Sequence, residues 1–121
     1  MKRIILSFTV LIITAFAHAN NDVELTLCSK SSSITLEELK TCKEVVLTND
    51  KFTIFSYKIG YENKKAKYYK EFNGVSKEIN AEFIEDLIRV APDKIYIEQI
   101  IVVDADGNKL NLGCKILELV K

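Results

Sequence analysis

The chain has 121 residues, and its 17 basic and 17 acidic side chains cancel at neutral pH. That length suits one domain. The balanced charge excludes the broad positive field with which proteins attract nucleic acid or anionic lipid. A single histidine and the lack of tryptophan further restrict the chemistry that the chain supports.

The N-terminus has the layout of a secretory signal peptide. A basic start, Met1-Lys2-Arg3, precedes an apolar run from Ile4 to Ala17, and Ala17-His18-Ala19 is a small-x-small cleavage site. The apolar run has 14 residues, whereas a membrane-spanning helix needs about 20. We therefore expect residues 1–19 to be removed and residues 20–121 to form one domain, periplasmic or secreted, without a membrane span. The alternative is an uncleaved N-terminal anchor.

Removal of these 19 residues leaves 102, and it takes away Lys2 and Arg3, so that 15 basic side chains face 17 acidic ones. It also takes away His18, which is the only histidine. Imidazole is the commonest general base at neutral pH and the commonest metal ligand. Serine–histidine and cysteine–histidine nucleophile pairs are thereby excluded, and we predict a protein that is not an enzyme and holds no cofactor or metal.

Three cysteines remain: Cys28, Cys42 and Cys114. An exported protein meets an oxidising compartment, so one disulfide and one free thiol are expected. We favour the pair Cys28–Cys42, which brackets a short excursion of the chain, while the two pairings with Cys114 stay open. Closing the favoured interval would stabilise the fold by about 3 kcal/mol in the chain-entropy model. Cys114 is then expected to be a small core residue.

The first elements of the predicted domain are short. Residues 23–28 alternate apolar and polar side chains, which predicts a strand. Thr35 and Glu38 form a capping box, which predicts a short helix to about Cys42. Residues 44–47 predict another strand, and a polar turn follows.

A hairpin comes next in the chain. Residues 51–61 and 66–72 predict its strands, with Asn63-Lys64 as the loop. In this register Phe55 opposes Phe72, so apolar meets apolar. Four apolar side chains lie on the inward face of the first strand: Phe55, Tyr57, Ile59 and Tyr61.

Asn73-Gly74 then predicts a sharp turn. Asn80 is a good N-cap for a helix over residues 81–90, which Ala91-Pro92 ends. An apolar stripe on this helix is expected to pack on the sheet: Phe83, Ile84, Leu87 and Ile88.

The last segment predicts a second hairpin, with a two-residue turn at Asp106-Gly107. This register pairs Ile97 with Ile116 and Glu98 with Lys115, so apolar and opposite-charge pairs arise together. The elements together predict an α+β domain. Its sheet is mainly antiparallel and sandwich-like, with one packed amphipathic helix and a short N-terminal helix.

Lysines and tyrosines interleave around the second strand of the first hairpin. The net negative charge disfavours a nucleic-acid site, and lysines on an edge strand commonly block aggregation. A protein-binding edge is the better functional interpretation of this strand. The candidate interaction surface consists of Tyr61, Lys67, Tyr68, Tyr69 and Lys70.

Two other motifs have plainer interpretations. Asp104–Asn108 resembles a calcium loop, but an EF-hand needs glycine at its sixth position, and Gly107 is fourth. A hairpin turn explains the same residues. Glu82, Glu85 and Asp86 are the kind of carboxylates that glycan hydrolysis needs, yet they fall on or near the polar side of one helix, and a solvated face is favoured.

Several stretches, in this order, carry a family resemblance: Phe52–Tyr57, Phe72–Ser76, the helix 81–90, Lys94–Ile100, Asp106-Gly107 and Cys114–Leu119. From Phe52 to Val120 this layout resembles the C-terminal domain of the gliding-motility protein GldM. The resemblance implies a periplasmic, β-rich module of a type IX secretion and gliding apparatus, which docks onto other proteins and has no catalytic residues to transfer. The chain departs from the full-length pattern, because it shows no transmembrane helix, stalk or upstream domain.

The sequence thus favours an exported, non-catalytic protein-interaction module with a protein partner and no nucleic-acid partner. The resemblance links it to a cell-envelope apparatus. A secreted enzyme inhibitor is the first alternative, because tyrosine-rich loops suit the plugging of active sites. A carboxylate-dependent glycan hydrolase is the second.

Overall fold

A computed structural model of the protein describes residues 23–121. The predicted signal peptide, residues 1–19, lies outside the described residues, and so does His18. The elements follow in chain order: β1 (Leu25–Leu27), β2 (Ser33–Thr35), α1 (Leu36–Cys42), β3 (Val45–Leu47), β4 (Thr53–Asn63), β5 (Tyr68–Gly74), α2 (Ala81–Val90), β6 (Lys94–Val103) and β7 (Lys109–Val120).

The strands of this described part form two sheets. β1 and β3 pair antiparallel, and the other five strands lie in the order β2-β7-β6-β4-β5. The β2–β7 pair is parallel, and the remaining pairs of the larger sheet are antiparallel. The α+β class with mainly antiparallel pairing is confirmed. β2 was not predicted: it has three residues within a polar stretch, and only its central Ile34 is buried.

One apolar core joins both sheets to both helices. α2 contributes Phe83, Ile84 and Leu87, and Asn80 caps the helix as predicted by accepting a hydrogen bond from the Glu82 amide at 2.7 Å. Burial of one large apolar side chain contributes about 1.5–3 kcal/mol. The largest fully buried side chains are Tyr57, Tyr61, Phe83, Leu25, Leu27, Ile34, Leu39, Ile59, Leu87, Ile95, Ile97 and Leu117.

The N-terminal region is closed by a turn, a cap and a cross-link. Cys28 and Ser29 both have positive φ, and Leu27 and Lys30 exchange two backbone hydrogen bonds across them, the pattern of a tight type I′ turn. A disulfide joins Cys28 to Cys42 at the end of α1, with a Cα–Cα distance of 5.8 Å. This confirms the favoured pairing. The capping box at the start of α1 is also confirmed.

Three central strands change the phase of their buried residues at one level of the sheet. In β6 the next buried side chain after Ile97 is Ile100, so the alternation of buried and outward side chains is broken. The cause is Gln99, which takes a positive φ where the register shifts. In β4 the register shifts around Phe55, and in β7 it shifts beside Gly113, which also has positive φ. These irregularities are β-bulges, each of which moves the following side chains to the opposite face.

The predicted register of the last hairpin is wrong by one residue. Ile97 pairs with Lys115, and Ile116 pairs with Tyr96. The turn is longer than predicted, because Asp104 and Asn108 close three residues between them, and Gly107 has a φ of 86°. The stem of Lys115 therefore points inward, and its ammonium meets Glu24.

The predicted register of the first hairpin is also wrong. Its loop is Lys64–Lys67 rather than Asn63-Lys64, because the backbone oxygen of Asn63 accepts a hydrogen bond from the Lys67 amide at 2.7 Å. Ile59 therefore opposes Phe72. The predicted Asn73-Gly74 turn is wrong as well, since both residues lie in β5.

Gly74 is required there by packing. A Cβ at this position would lie 2.2 Å from a ring carbon of Tyr57, which pairs with it across the ladder. The glycine signals close approach to an aromatic ring instead of a turn.

Three side chains predicted to be buried are exposed. The bulges place Phe55, which is 46% exposed, and Cys114 on the outside of the sheet. Ile88 is 45% exposed, because α2 turns Phe83, Ile84 and Leu87 towards the core and leaves the next position in solvent.

Candidate interaction surface at the edge strand β5

The predicted interaction surface centres on β5, which is an edge strand of the larger sheet. β5 pairs with β4 on one side, from Tyr57–Gly74 to Asn63–Tyr68. Tyr68 and Tyr69 are 40% and 43% exposed and, as neighbours in a strand, point to opposite faces. The structure therefore brings these two predicted residues to an open edge, one on each face.

Tyr61 does not belong to the exposed surface, and that prediction is wrong. It lies near the C-terminal end of β4 and is fully buried, and its ring centroid is 6.3 Å from those of Tyr68 and Phe83. Its hydroxyl donates a hydrogen bond to Asp86 at 2.9 Å. Tyr61 packs beneath the surface, against Tyr68, and is not accessible to a partner.

Asp86 is the centre of a polar network that the sequence did not reveal. The residue is buried, with 3% of its surface exposed, although the sequence interpretation placed it on a solvated face. It accepts the Tyr61 hydroxyl, the Lys70 ammonium at 3.0 Å and the guanidinium of Arg89. The network ties α2 to β4 and β5, because the three donors come from those three elements.

The network stabilises the charged form of the aspartate. Burial alone would raise the pKa of Asp86, but the hydrogen bonds from Lys70, Tyr61 and Arg89 outweigh it, and the pKa lies below its usual value. The hydrogen bond to Asp86 in turn raises the pKa of Lys70. Burial first, and then the neighbouring hydroxyl and carboxylate, raise the pKa of Tyr61. At neutral pH the cluster therefore consists of a neutral phenol and a carboxylate that is ion-paired with two cations, Lys70 and Arg89.

Lys67 and Lys70 have different surroundings. Lys67 is exposed in the turn before β5, where it adopts a φ of 60°. Lys70 points to the helix side, where its ammonium lies 5.1 Å above the ring of Phe72 and 3.4 Å from Glu82. Lys67 is free to meet a partner, whereas Lys70 is largely committed to the fold.

Tyr69 lies on the face of the sheet opposite α2. Its ring meets that of Tyr96 edge-on, with centroids 5.9 Å apart. A Cβ on Gly60 would lie 2.6 Å from the Tyr69 hydroxyl, so only glycine leaves room for this ring across β4. Burial raises the pKa of Tyr69 to about 12, which keeps the phenol neutral.

The acidic side chains of α2 and of the last hairpin have different surroundings. An ionised Asp86 cannot donate a proton as the acid of a glycosidase must, and Glu82 and Glu85 are exposed on the helix. Residues 23–121 contain no group of three histidine, cysteine or acidic side chains placed to hold a metal ion. Asp104 instead accepts the amides of Asp106 and Asn108, both at 2.9 Å, within its hairpin turn.

The signal for Asp86 was present in the sequence but weak. The residue lies three positions after Phe83 and directly before Leu87, on the edge of the apolar stripe. A carboxylate at such a position needs a cationic or hydroxyl partner. Arg89, three positions on, is visible from the sequence, whereas Tyr61 and Lys70 are distant along the chain.

None of the helices in residues 23–121 is long and apolar enough to cross a membrane. The Cys28–Cys42 disulfide is compatible with an extracellular or periplasmic location. Comparison of the sequence with protein-family models and with curated proteins finds no match.

Proposed function

We propose that this chain is exported and acts as a non-catalytic protein-interaction module, which binds a protein partner along the outer edge of β5. The position of β5 carries the proposal. It ends the sheet, and within residues 23–121 no strand pairs with its outer edge. An open edge offers main-chain hydrogen bonds to an added strand, and alternate side chains on its two faces give specificity.

The side chains of the edge support this role. Tyr68 and Tyr69 would meet a partner strand on its two faces, and tyrosine is enriched at interfaces. Lys67 adds an exposed positive charge at the start of the edge. The Asp86 network fixes the strand from behind, so little order would have to be gained on binding.

The export part of the proposal rests on the N-terminal layout and the disulfide. The resemblance to the GldM C-terminal domain makes the cell envelope the expected place of action. Intact-mass measurement on the protein from its native host tests this part. We expect a chain that begins at Asn20, and a chain that retains residues 1–19 would overturn it.

In-cell crosslinking tests the interaction part, with captured proteins identified from the native envelope and the medium. The double variant Lys67→Glu, Tyr68→Ala changes two exposed side chains of the edge. Lys40→Glu on α1 is the control for the charge reversal. We expect wild type and control to capture the same partner and the double variant to lose it. Equal capture by all three, or no specific partner in either compartment, would refute the role of the edge.

A further inference from the structure

A groove of about 490 Å³ lies between β3, the start of β4 and the segment that follows β5. Its volume is within the range of about 300–1,000 Å³ that ligand sites occupy. Val75, at the mouth, is 73% exposed, more than any other large apolar side chain of residues 23–121. The apolar part of the lining consists of Val45, Val46, Leu47, Phe52, Ile54 and Val75.

The backbone beside this groove is unpaired on one side. The pairing of β4 with β5 ends at Tyr57 and Gly74, whereas β4 begins at Thr53. β6 pairs with this first part of β4 on the other side. In the described part of the chain, no strand takes the place of β5 next to Thr53–Ser56. An added strand would continue the line of β5 along β4.

The far wall of the groove is fixed in place. The Tyr57 hydroxyl donates a hydrogen bond to the backbone oxygen of Ser76 at 3.1 Å. The amide of Val45 donates to the backbone oxygen of Lys77 at 2.8 Å. The segment after Gly74 is therefore held against β3 and against the side chain of Tyr57, so the contacts of the fold itself form this wall of the groove. A preformed site avoids much of the cost of ordering on binding.

The charges that line the groove favour a cationic partner. Three charged side chains line it: Glu44, Asp50 and Lys77. Lys77 lies 3.9 Å from Glu44. Asp50 is exposed and has no ion pair within residues 23–121. The lining thus has an uncompensated negative charge at the end nearest to β4.

We infer that this groove binds an extended peptide segment of a partner protein as an additional strand on Thr53–Ser56. Apolar side chains at alternate positions of the segment fill the groove, and a lysine or arginine meets Asp50. The inference rests on the proposed function for the source of the peptide. It uses a surface separate from the Tyr68–Tyr69 edge, so the two can fail independently.

Amide chemical shifts of the purified protein test the inference directly. The probes are acetylated, amidated hexapeptides that alternate valine or isoleucine with threonine, with a lysine at either end, added to about 1 mM, where a weak site already shows binding. We expect shift changes at Thr53–Ser56 and at Val75–Lys77. Replacing the terminal lysine by glutamate should weaken binding, and N-methylation of alternate amides should abolish it. No shift change in these segments with any probe would overturn the inference, as would equal binding of N-methylated peptides.

Paired variants locate the site. Val75→Glu places a charge in the lining of the groove. It should weaken peptide binding at least about tenfold, because an apolar side chain of the peptide would then remove the new carboxylate from water. Ile88→Glu is the control, since Ile88 is also an exposed apolar residue but lies on α2. The double variant Lys67→Glu, Tyr68→Ala should bind the peptide normally. If it loses the peptide while Val75→Glu retains it, the groove is not the site.

Discussion

The N-terminal region and the five-stranded sheet of this protein are held together by different means. β1, β3 and α1 are short, with three residues in each strand and seven in the helix, and a disulfide ties them together. β4, β6 and β7 have ten or more residues each and enclose a continuous apolar core under α2. The N-terminal elements also contribute Leu25, Leu27 and Leu39 to the core, but their ladders are short, and the covalent link adds to the stability that burial supplies.

Removing the disulfide is expected to have the largest effect on stability, and to affect the N-terminal region more than the five-stranded sheet. In the double variant Cys28→Ser, Cys42→Ser, the free energy of unfolding should fall by about 3 kcal/mol, because a short closed loop is released in the unfolded chain. Urea denaturation measures the loss. In native-state hydrogen exchange, the exchange rates of amides in β1 and β3 should rise more than those in β6, since the disulfide lies in the N-terminal region.

Cys114→Ser is the matched control for this change. The Cys114 thiol is exposed and unlinked, so its replacement should shift stability by less than about 0.5 kcal/mol. If hydrogen exchange rose equally in β1 and β6 of the double variant, the two regions would form one cooperative unit and would not be stabilised by different means.

The second largest effect is expected in the sheet region, at Asp86. In Asp86→Ala the buried Tyr61 hydroxyl loses its acceptor, while Lys70 and Arg89 turn to water. Leaving a buried donor unsatisfied costs about 2 kcal/mol. Urea denaturation of Glu85→Ala, on the exposed side of the same helix, should show almost no change. Equal losses in the two variants would mean that the network does not stabilise the packing of α2.

The features that the sequence predicted are those with local signals. The capping box at Thr35, the cap at Asn80 and the Cys28–Cys42 bridge each depend on residues close together in the chain, and all three are confirmed. The second hairpin exists, but its register was wrong, because Asp104 closes a longer turn than the Asp106-Gly107 pair suggested.

The features that the sequence missed depend on contacts between distant residues. Phe55 and Gln99 have no residue-type signature of a bulge, so the change of buried face could not be read from alternation alone. The same limit explains Tyr61, which looked like its neighbours Tyr68 and Tyr69. Tyr61 is covered by α2, where Phe83 contacts its ring and Asp86, 25 positions along the chain, accepts its hydroxyl.

A smaller effect should come from the bulge in β6. Gln99 holds a φ of 50°, which is unfavourable for a residue with a Cβ, and its side chain is exposed. Gln99→Gly should stabilise the protein by about 1 kcal/mol, because glycine adopts this conformation without strain. Gln99→Ala keeps the Cβ and should give no gain in urea denaturation. If both variants were destabilised alike, the positive φ would not be a source of strain.

The last expected effect concerns acid, and it isolates the charge of Asp86 from the rest of the network. Burial would raise the pKa of Asp86, but hydrogen bonds from Lys70, Tyr61 and Arg89 outweigh it. The pKa in the folded protein therefore lies below its ordinary value. The folded state therefore binds this proton less readily than the unfolded state. The resulting stability is fully present above the ordinary aspartate value of about 4 and is lost as the pH falls through the folded pKa.

Asp86→Asn keeps an acceptor for Tyr61 but cannot titrate, so its stability should fall less between neutral and acid pH than that of wild type. Urea midpoints measured across this range check the difference, and parallel pH profiles would show that the charge on Asp86 contributes nothing to holding α2 on the sheet.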